Sequence, residues 1–224
     1  MSDFAEAERR RRYLQWITAA LFPTVLIGGW FWPILGYFIP LCMVLGLGIG
    51  IFRGRQWCDW LCPRGAFFDA AAGPASPKRS IPRFVKGFPL RIVFIAFLMA
   101  MMLAQIANRW PDPYAIGMFF VTLLTATSIV GVVFALLVHP RLWCCLCPIG
   151  SMGNWFGRWR HPLRIDSASC TECGVCHKVC PIQVEPYAFK GEAQETVRDG
   201  DCLKCALCVA KCPASALSLK GNAA

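Results

Sequence analysis

Two long stretches of this chain are almost free of charge. From 13 to 52 there is no Asp, Glu, Lys or Arg, and from 92 to 138 only Arg109 and Asp112 interrupt the apolar run. A helix needs about 20 apolar residues to cross the hydrocarbon of a bilayer, with roughly 17 to 25 tolerated. The first stretch therefore predicts two spans, near 14–29 and 34–52, with Pro23 inside the first. Gly28, Gly29 and Pro33, with Trp30 and Trp32 beside them, predict the turn between the two. The second stretch predicts spans near 90–107 and 115–138, joined by a compact turn over 108–113. A Pro-, Lys- and Arg-rich loop over 73–87 separates the two pairs, and Arg158, Arg160, His161, Pro162 and Arg164 mark the exit into a polar tail. The expected fold is a membrane all-α unit of four transmembrane helices in two tandem hairpins (1–160), followed by a small α+β two-cluster bacterial ferredoxin-like unit (161–224).

Composition agrees with a bilayer. Hydrophobic residues make up 56% and charged residues 16% of the chain, against roughly a quarter charged in soluble domains. The net charge of +10 raises nucleic acid as a partner. Its distribution argues against that, because no basic patch is interleaved with base-stacking aromatics on a soluble scaffold. With four spans, all of the 23 Lys and Arg residues except Arg109 fall on the side of the termini. The positive-inside rule makes that side cytoplasmic, so the expectation is a multi-pass protein of the bacterial cytoplasmic (inner) membrane in contact with lipid. Trp30, Trp32 and Trp110 at the outer turns, and Trp16, Trp57, Trp60 and Trp143 at the inner ends, read as interface anchors. Arg53, Arg55 and Arg141 read as headgroup anchors at helix ends. Glu6, Glu8 and Arg9 to Arg12 precede the first apolar stretch with no small-residue cleavage site after it, so that stretch is expected to stay as an anchor.

The chain also repeats itself. Each predicted hairpin ends in a cysteine motif, RQWCDWLCPRGAFFD at 55–69 and RLWCCLCPIGSMG at 141–153. Both run Trp-Cys, then Cys-Pro, then Gly. Two hairpins with the same in–out sense form a parallel repeat about an axis along the membrane normal.

Fourteen cysteines set the chemistry. Their spacings are those of metal ligands rather than of a disulfide framework. Cys170, Cys173, Cys176 and Cys180-Pro181 are followed by Cys202, Cys205, Cys208 and Cys212-Pro213, which is the two-cluster bacterial ferredoxin run given twice. Three closely spaced thiolates wrap one cluster and the fourth ligates the other. One [4Fe–4S] cluster is thus expected on Cys170, Cys173, Cys176 and Cys212, and the other on Cys202, Cys205, Cys208 and Cys180. A zinc ribbon also uses Cys-x2-Cys pairs, but gains nothing from two matching triplets with an extra cysteine each.

The membrane-proximal cysteines are Cys58 and Cys62 in the first motif and Cys144, Cys145 and Cys147 in the second. Taken together, the motifs make the chain resemble the NapH/MauN-type membrane iron–sulfur subunits of quinol dehydrogenase systems. The resemblance reaches from the first span to Cys212. The chain departs from it in the second motif, which is one residue short, and in its very short outer loops. If the two motifs converge, Cys58, Cys62, Cys147 and either Cys144 or Cys145 offer four thiolates to a third cluster. Redox thiols, a partner interface or plain packing are the other readings, and Cys42, alone in mid-span, reads as packing.

The resemblance implies an electron-transfer subunit between the quinone/quinol pool and a protein redox partner, such as a multisubunit reductase, dehydrogenase or cytochrome. An alternative from another class is a maturation factor that supplies electrons for building a metal centre in another enzyme. A third is a ferredoxin merely anchored by helices. His139 is a candidate proton acceptor for a quinol, with an interface residue before Pro140 as its plainer account. Asp59 reads as a solvated interface carboxylate, and His161 and His177 as surface residues.

Overall fold

The computed structural model describes residues 2–191 and 195–219; the last residues of the expected second unit, 220–224, lie outside them. Helix α1 (Ser2–Phe31) crosses Pro23 without stopping, and its apolar part Arg9–Phe31 is long enough to span a bilayer. Gly28 and Gly29 do not form the turn. The helix runs through them, and a Cβ on Gly29 would lie 2.7 Å from Val121 Cγ2, so this glycine permits close helix packing. The turn is made instead by Trp32 and a 3-10 segment, Pro33–Tyr37, which leads into α2 (Phe38–Arg53).

The first motif folds as two short helices, α3 (Gln56–Trp60) and α4 (Pro63–Phe67), the latter prolonged by a π turn at Phe68–Ala72. Helices α5 (Phe88–Arg109) and α6 (Pro113–Leu137) make the second pair of apolar helices. Asp112 caps α6 by accepting from the Tyr114 and Ala115 N–H groups, and Pro113 stands at the first helical position where no N–H is needed. The second motif repeats the first pattern as α7 (Leu142–Leu146) and α8 (Pro148–Gly157). Among the described residues, four helices are long and apolar enough to cross a membrane. Their outward side chains, among them Ile27, Phe31, Phe97, Leu103, Ile129 and Leu137, are more than half exposed, a surface suited to lipid and not to water.

The tail begins with β1 (Leu163–Ile165), which lies between β2 (Thr196–Val197) and β3 (Leu217–Leu219) in a three-stranded antiparallel sheet. Two four-residue helices, α9 (Val175–Lys178) and α10 (Leu207–Ala210), carry the third cysteine of each triplet. The tail does not hang free of the helices. Trp57, Leu142 and Leu146 of the membrane motifs share one apolar core with Leu163, Ile165, Ile182 and Leu203 of the tail. The loop at 73–87 grips it from the side. Lys86 Nζ donates to the carbonyls of Ile182 and Gln183 at 3.1 Å each, while the Gln183 amide accepts from Ile81 N–H and donates to the Arg79 carbonyl.

Candidate functional site

In the tail, the spacing Cys-x2-Cys-x2-Cys forces the chain around a tight loop. Glu172 and Gly174 in the first triplet, and Lys204 and Ala206 in the second, all take positive φ values. Left-handed residues alternating with right-handed ones turn successive N–H groups inward, a concavity common around iron–sulfur sites. Each short helix then carries the fourth cysteine across. Cys170, Cys173, Cys176 and Cys212 line one cavity of about 350 Å³. Cys180, Cys202, Cys205 and Cys208 line another of about 390 Å³. No three His, Cys, Asp or Glu side chains among the described residues converge closely enough to hold a single ion. A tetrahedral zinc site requires that convergence, whereas thiolates at the corners of a four-iron cube stand further apart. The donor set and its spacing fit [4Fe–4S] clusters.

The membrane motifs build a third cavity of the same kind. In each, a short helix starts directly after the arginine of Arg-x-Trp-Cys and ends ahead of the cysteine that precedes proline. Cys62 (φ −71°, ψ 110°) and Cys147 (φ −55°, ψ 132°) are extended, as a residue before proline prefers, and the proline then opens the next helix. The two motifs share a hydrogen-bond skeleton despite the missing residue. Cys62 and Cys147 N–H donate to the carbonyls of Trp57 and Trp143, and Ala66 and Ser151 N–H donate to the carbonyls of Cys62 and Cys147. Cys58, Cys62, Cys144 and Cys147 together line a cavity of about 370 Å³. Cys145 is left out of it, fully buried with its Sγ 3.8 Å from the Arg141 carbonyl. Cys42 is half-buried and packs against the shared core.

The arginines that open the motifs cross over. Arg141 Nη1 donates to the Cys58 carbonyl at 2.8 Å, and Arg55 Nη2 donates to the Cys144 carbonyl at 2.6 Å. Gly65 and Gly150 leave room for these guanidiniums, since a Cβ there would stand 3.2 Å from Arg141 and 2.9 Å from Arg55. Each half thus holds the other half's cysteine loop. Arg55 and Arg141 are 1% and 0% exposed, so they are not the headgroup anchors expected from sequence. Nor is Asp59 a solvated carboxylate. It is 1% exposed, receives Arg11 Nε at 2.5 Å and Nη2 at 2.8 Å, and meets Arg141 Nη2 at 3.3 Å. Arg141 also donates to both oxygens of Asp69. Trp57 and Trp143 are buried core residues rather than interface anchors, because their indoles fill the space between the motifs.

In the second motif Cys145 follows the cysteine where the first has Asp59, so that half lacks its own acid. The tail supplies it. Asp201, next to Cys202, receives Arg55 Nη1 at 2.5 Å, Arg91 Nη2 at 2.7 Å and the Asn154 amide at 2.8 Å. Burial alone would raise the Asp201 pKa, but Arg55, Arg91 and Asn154 outweigh it and hold the carboxyl below its usual range. Lys204 Nζ adds a bond to the Gly157 carbonyl. The loop of one tail cavity is thereby bolted to the cavity between the membrane motifs. The sequence misassigns Arg55 and Arg141 as headgroup anchors and offers no reading for Arg64, Asp69 and Asp201. The signal for the first two was present, since Arg opens both repeats.

Burial pushes the Cys58 and Cys202 thiols up to about 11 and the Cys62 thiol higher still, so they ligate as thiolates only beside a metal's positive charge. His139 is 7% exposed, with Nδ1 accepting from Arg141 N–H at 3.1 Å. Burial, only partly opposed by Asp69, depresses its pKa to about 4 and keeps the ring neutral. It is a buried group and not an interface residue. His161 is exposed and His177 partly so, with His177 Nδ1 4.0 Å from Glu185.

A bundle of apolar helices that carries cysteine-lined cavities on one face and a ferredoxin-like tail against them defines a membrane-associated iron–sulfur protein. Comparison with known proteins agrees. Residues 35–82 and 115–164, one in each repeat, match a 4Fe-4S binding domain family, and residues 162–213 match a 4Fe-4S dicluster domain family. The chain is 29% identical to the ferredoxin-type protein NapH of Haemophilus influenzae, over 75% of this chain and 63% of that one. It is 29% identical to the methylamine utilization ferredoxin-type protein MauN of Paracoccus denitrificans, over 76% and 64%. It is 28% identical to the putative electron transport protein YccM of Escherichia coli, over 77% and 53%. The chain is thus a homologue of these ferredoxin-type proteins and spans between about half and two thirds of their length. No solved structure matches it significantly.

Proposed function

We propose that this chain is the membrane-bound electron-transfer subunit of a quinol-linked system, with two [4Fe–4S] sites in the tail and a third on Cys58, Cys62, Cys144 and Cys147. The observation that carries the reading is the third cavity and its bond to the tail through Arg55 and Asp201. Each cluster, when bound, takes up and releases one electron at a potential tuned by ligand charge, hydrogen bonds and burial. The chain's own residues do the rest. The eight tail cysteines and four motif cysteines are the ligands, while Arg55 and Arg141 hold the backbone of Cys144 and Cys58 in place. Among the described residues, Arg11, Arg55, Arg91 and Arg141 outnumber their partners Asp59, Asp69 and Asp201, and Arg64 adds a further cation without a carboxylate partner. That positive surplus suits a site that gathers thiolate charge. Ferredoxin-type relatives support the electron-transfer role, and the quinone link follows the resemblance to NapH and MauN. The membrane unit 1–160 has its cysteine face, the tail and both termini on the cytoplasmic side, where the redox partner docks.

The test is iron and acid-labile sulfide per chain in anaerobically purified protein, with reduction by a soluble quinol followed by EPR. About twelve irons, from three four-iron clusters, are expected. About eight would confine the clusters to the tail, and clusters that quinol never reduces would remove the quinone link.

A further inference from the structure

Between α2, α5 and α6, on the membrane side of the Cys–Pro turns, lies a partly open cavity of about 590 Å³. Met99 and Met102 of α5 and Leu124 of α6 give it apolar, adaptable walls, and Cys147 lies at its floor. Arg64 and Thr127 line it, as does Trp143, whose buried indole N–H has no acceptor among the described residues. Arg64 and Cys147 also line the cysteine cavity, so the guanidinium stands between the two spaces.

The protein uses that guanidinium through aromatic rings: its Cζ sits 4.3 Å from the centre of the Trp143 ring and 5.5 Å from that of Phe68, contacts that leave the N–H groups free to donate. Nε and Nη2 are buried and have no acceptor among the described residues. Nη2 lies 3.6 Å from where a Cβ on Gly131 would be, one helical turn beyond Thr127 on the same wall. Thr127 Oγ1 spends its proton on the Leu123 carbonyl at 2.7 Å and keeps its lone pairs to accept. Thiolates in the neighbouring cavity offset the charge of Arg64, yet its two N–H groups still call for an acceptor, and a buried charged donor without one is costly. The missing partner must be apolar enough to lie among helices and must carry an oxygen acceptor. The hydrocarbon part of a phospholipid tail has no such atom.

We infer that this cavity binds the ring of a membrane quinone, with a carbonyl oxygen accepting from Arg64 and the isoprenoid tail leaving toward lipid. The inference rests on the quinol-linked reading above and adds where the ring docks, beside Cys147. Thr127 accepts from the hydroxyl of the reduced form.

The test uses the intact protein in quinone-free nanodiscs, titrated calorimetrically with decylubiquinone and, separately, a short-chain menaquinone. Saturable binding at one site per chain is expected for at least one of them. Arg64→Gln should weaken it about tenfold or more through loss of a charged donor. Leu124→Trp, on a wall that does not border the cysteine cavity, should abolish it while iron and sulfide stay at the wild-type level. Should Arg64→Gln lose iron, Leu124→Trp decides alone. Equal binding by wild type and Leu124→Trp, or no saturable quinone binding with only phospholipid copurifying, overturns the inference. Binding that obeys these variants while quinol fails to reduce the clusters would spare the site and overturn the electron-transfer reading. Quinol-driven reduction that survives Leu124→Trp would do the reverse.

Discussion

Asp201→Asn keeps the shape of the side chain that joins the tail to the membrane motifs and removes its charge. In the wild type the carboxylate accepts from Arg55 at 2.5 Å and from Arg91 at 2.7 Å, with all three side chains at most 5% exposed. Both guanidiniums would then be buried without a counter-charge. Removing one partner of a buried pair costs about 3 to 5 kcal/mol. The loss falls on the docked state, because an undocked tail returns Arg55 and Asp201 to water. At about 4 kcal/mol, the ratio of docked to undocked tail falls by roughly three orders of magnitude. Amide hydrogen exchange in nanodiscs reads this directly, as lost protection at 79–86 and 201–205 with β1 to β3 unaffected, since local openings report local free energies. Replacing the trio together, with Arg55→Met, Arg91→Met and Asp201→Leu, should recover much of the protection, because apolar groups of similar volume leave no buried charge. Wild-type protection at 79–86 and 201–205 in Asp201→Asn would refute the docking argument.

Other outcomes follow from single residues. Cys173→Ser should remove about four irons and leave the remaining clusters, measured as iron per chain beside the EPR spectrum. Cys62→Ser and Cys147→Ser should each lose about four irons from the membrane face, whereas Cys145→Ser should lose none, because its sulfur lies outside the cavity. Gly150→Ala would bring a methyl within 2.5 Å of the Cys144 carbonyl and 2.9 Å of Arg55, so it should also lose the membrane-face iron while the tail clusters persist. His139 has a folded pKa of about 4 against about 6.5 unfolded. The unfolded chain binds the proton more readily, so its contribution is complete above pH 6.5 and falls as pH drops toward 4, by at most about 3 kcal/mol. His139→Gln should flatten the fall in thermal stability between pH 7 and pH 5, and an unchanged slope would remove His139 as its cause.

Hydrophobic pattern alone located the four apolar helices, because hydrocarbon demands a minimum apolar length wherever a helix crosses it, although α1 begins at Ser2, well before the expected start near 14. Cysteine spacing determined which tail cysteines share a cavity, since three ligands on one tight loop can reach only one cluster. Local sequence also holds the reason for each Cys–Pro break, as the residue before proline avoids helical backbone. What lay out of reach were relations between distant segments. Arg55 and Arg141 read as surface anchors because a helix-end arginine beside tryptophan looks alike in either setting, and only packing shows that each reaches across to the other repeat's carbonyl. Asp59 was misread for the same reason. The choice of Cys144 over Cys145 depended on which of two adjacent side chains faces the gap between α3–α4 and α7–α8, which a one-residue deletion makes ambiguous in sequence. Asp201 acting for an acid missing from the second repeat is a contact between residues 146 apart. Charge burial makes such contacts obligatory, but only the tertiary structure decides which carboxylate meets them.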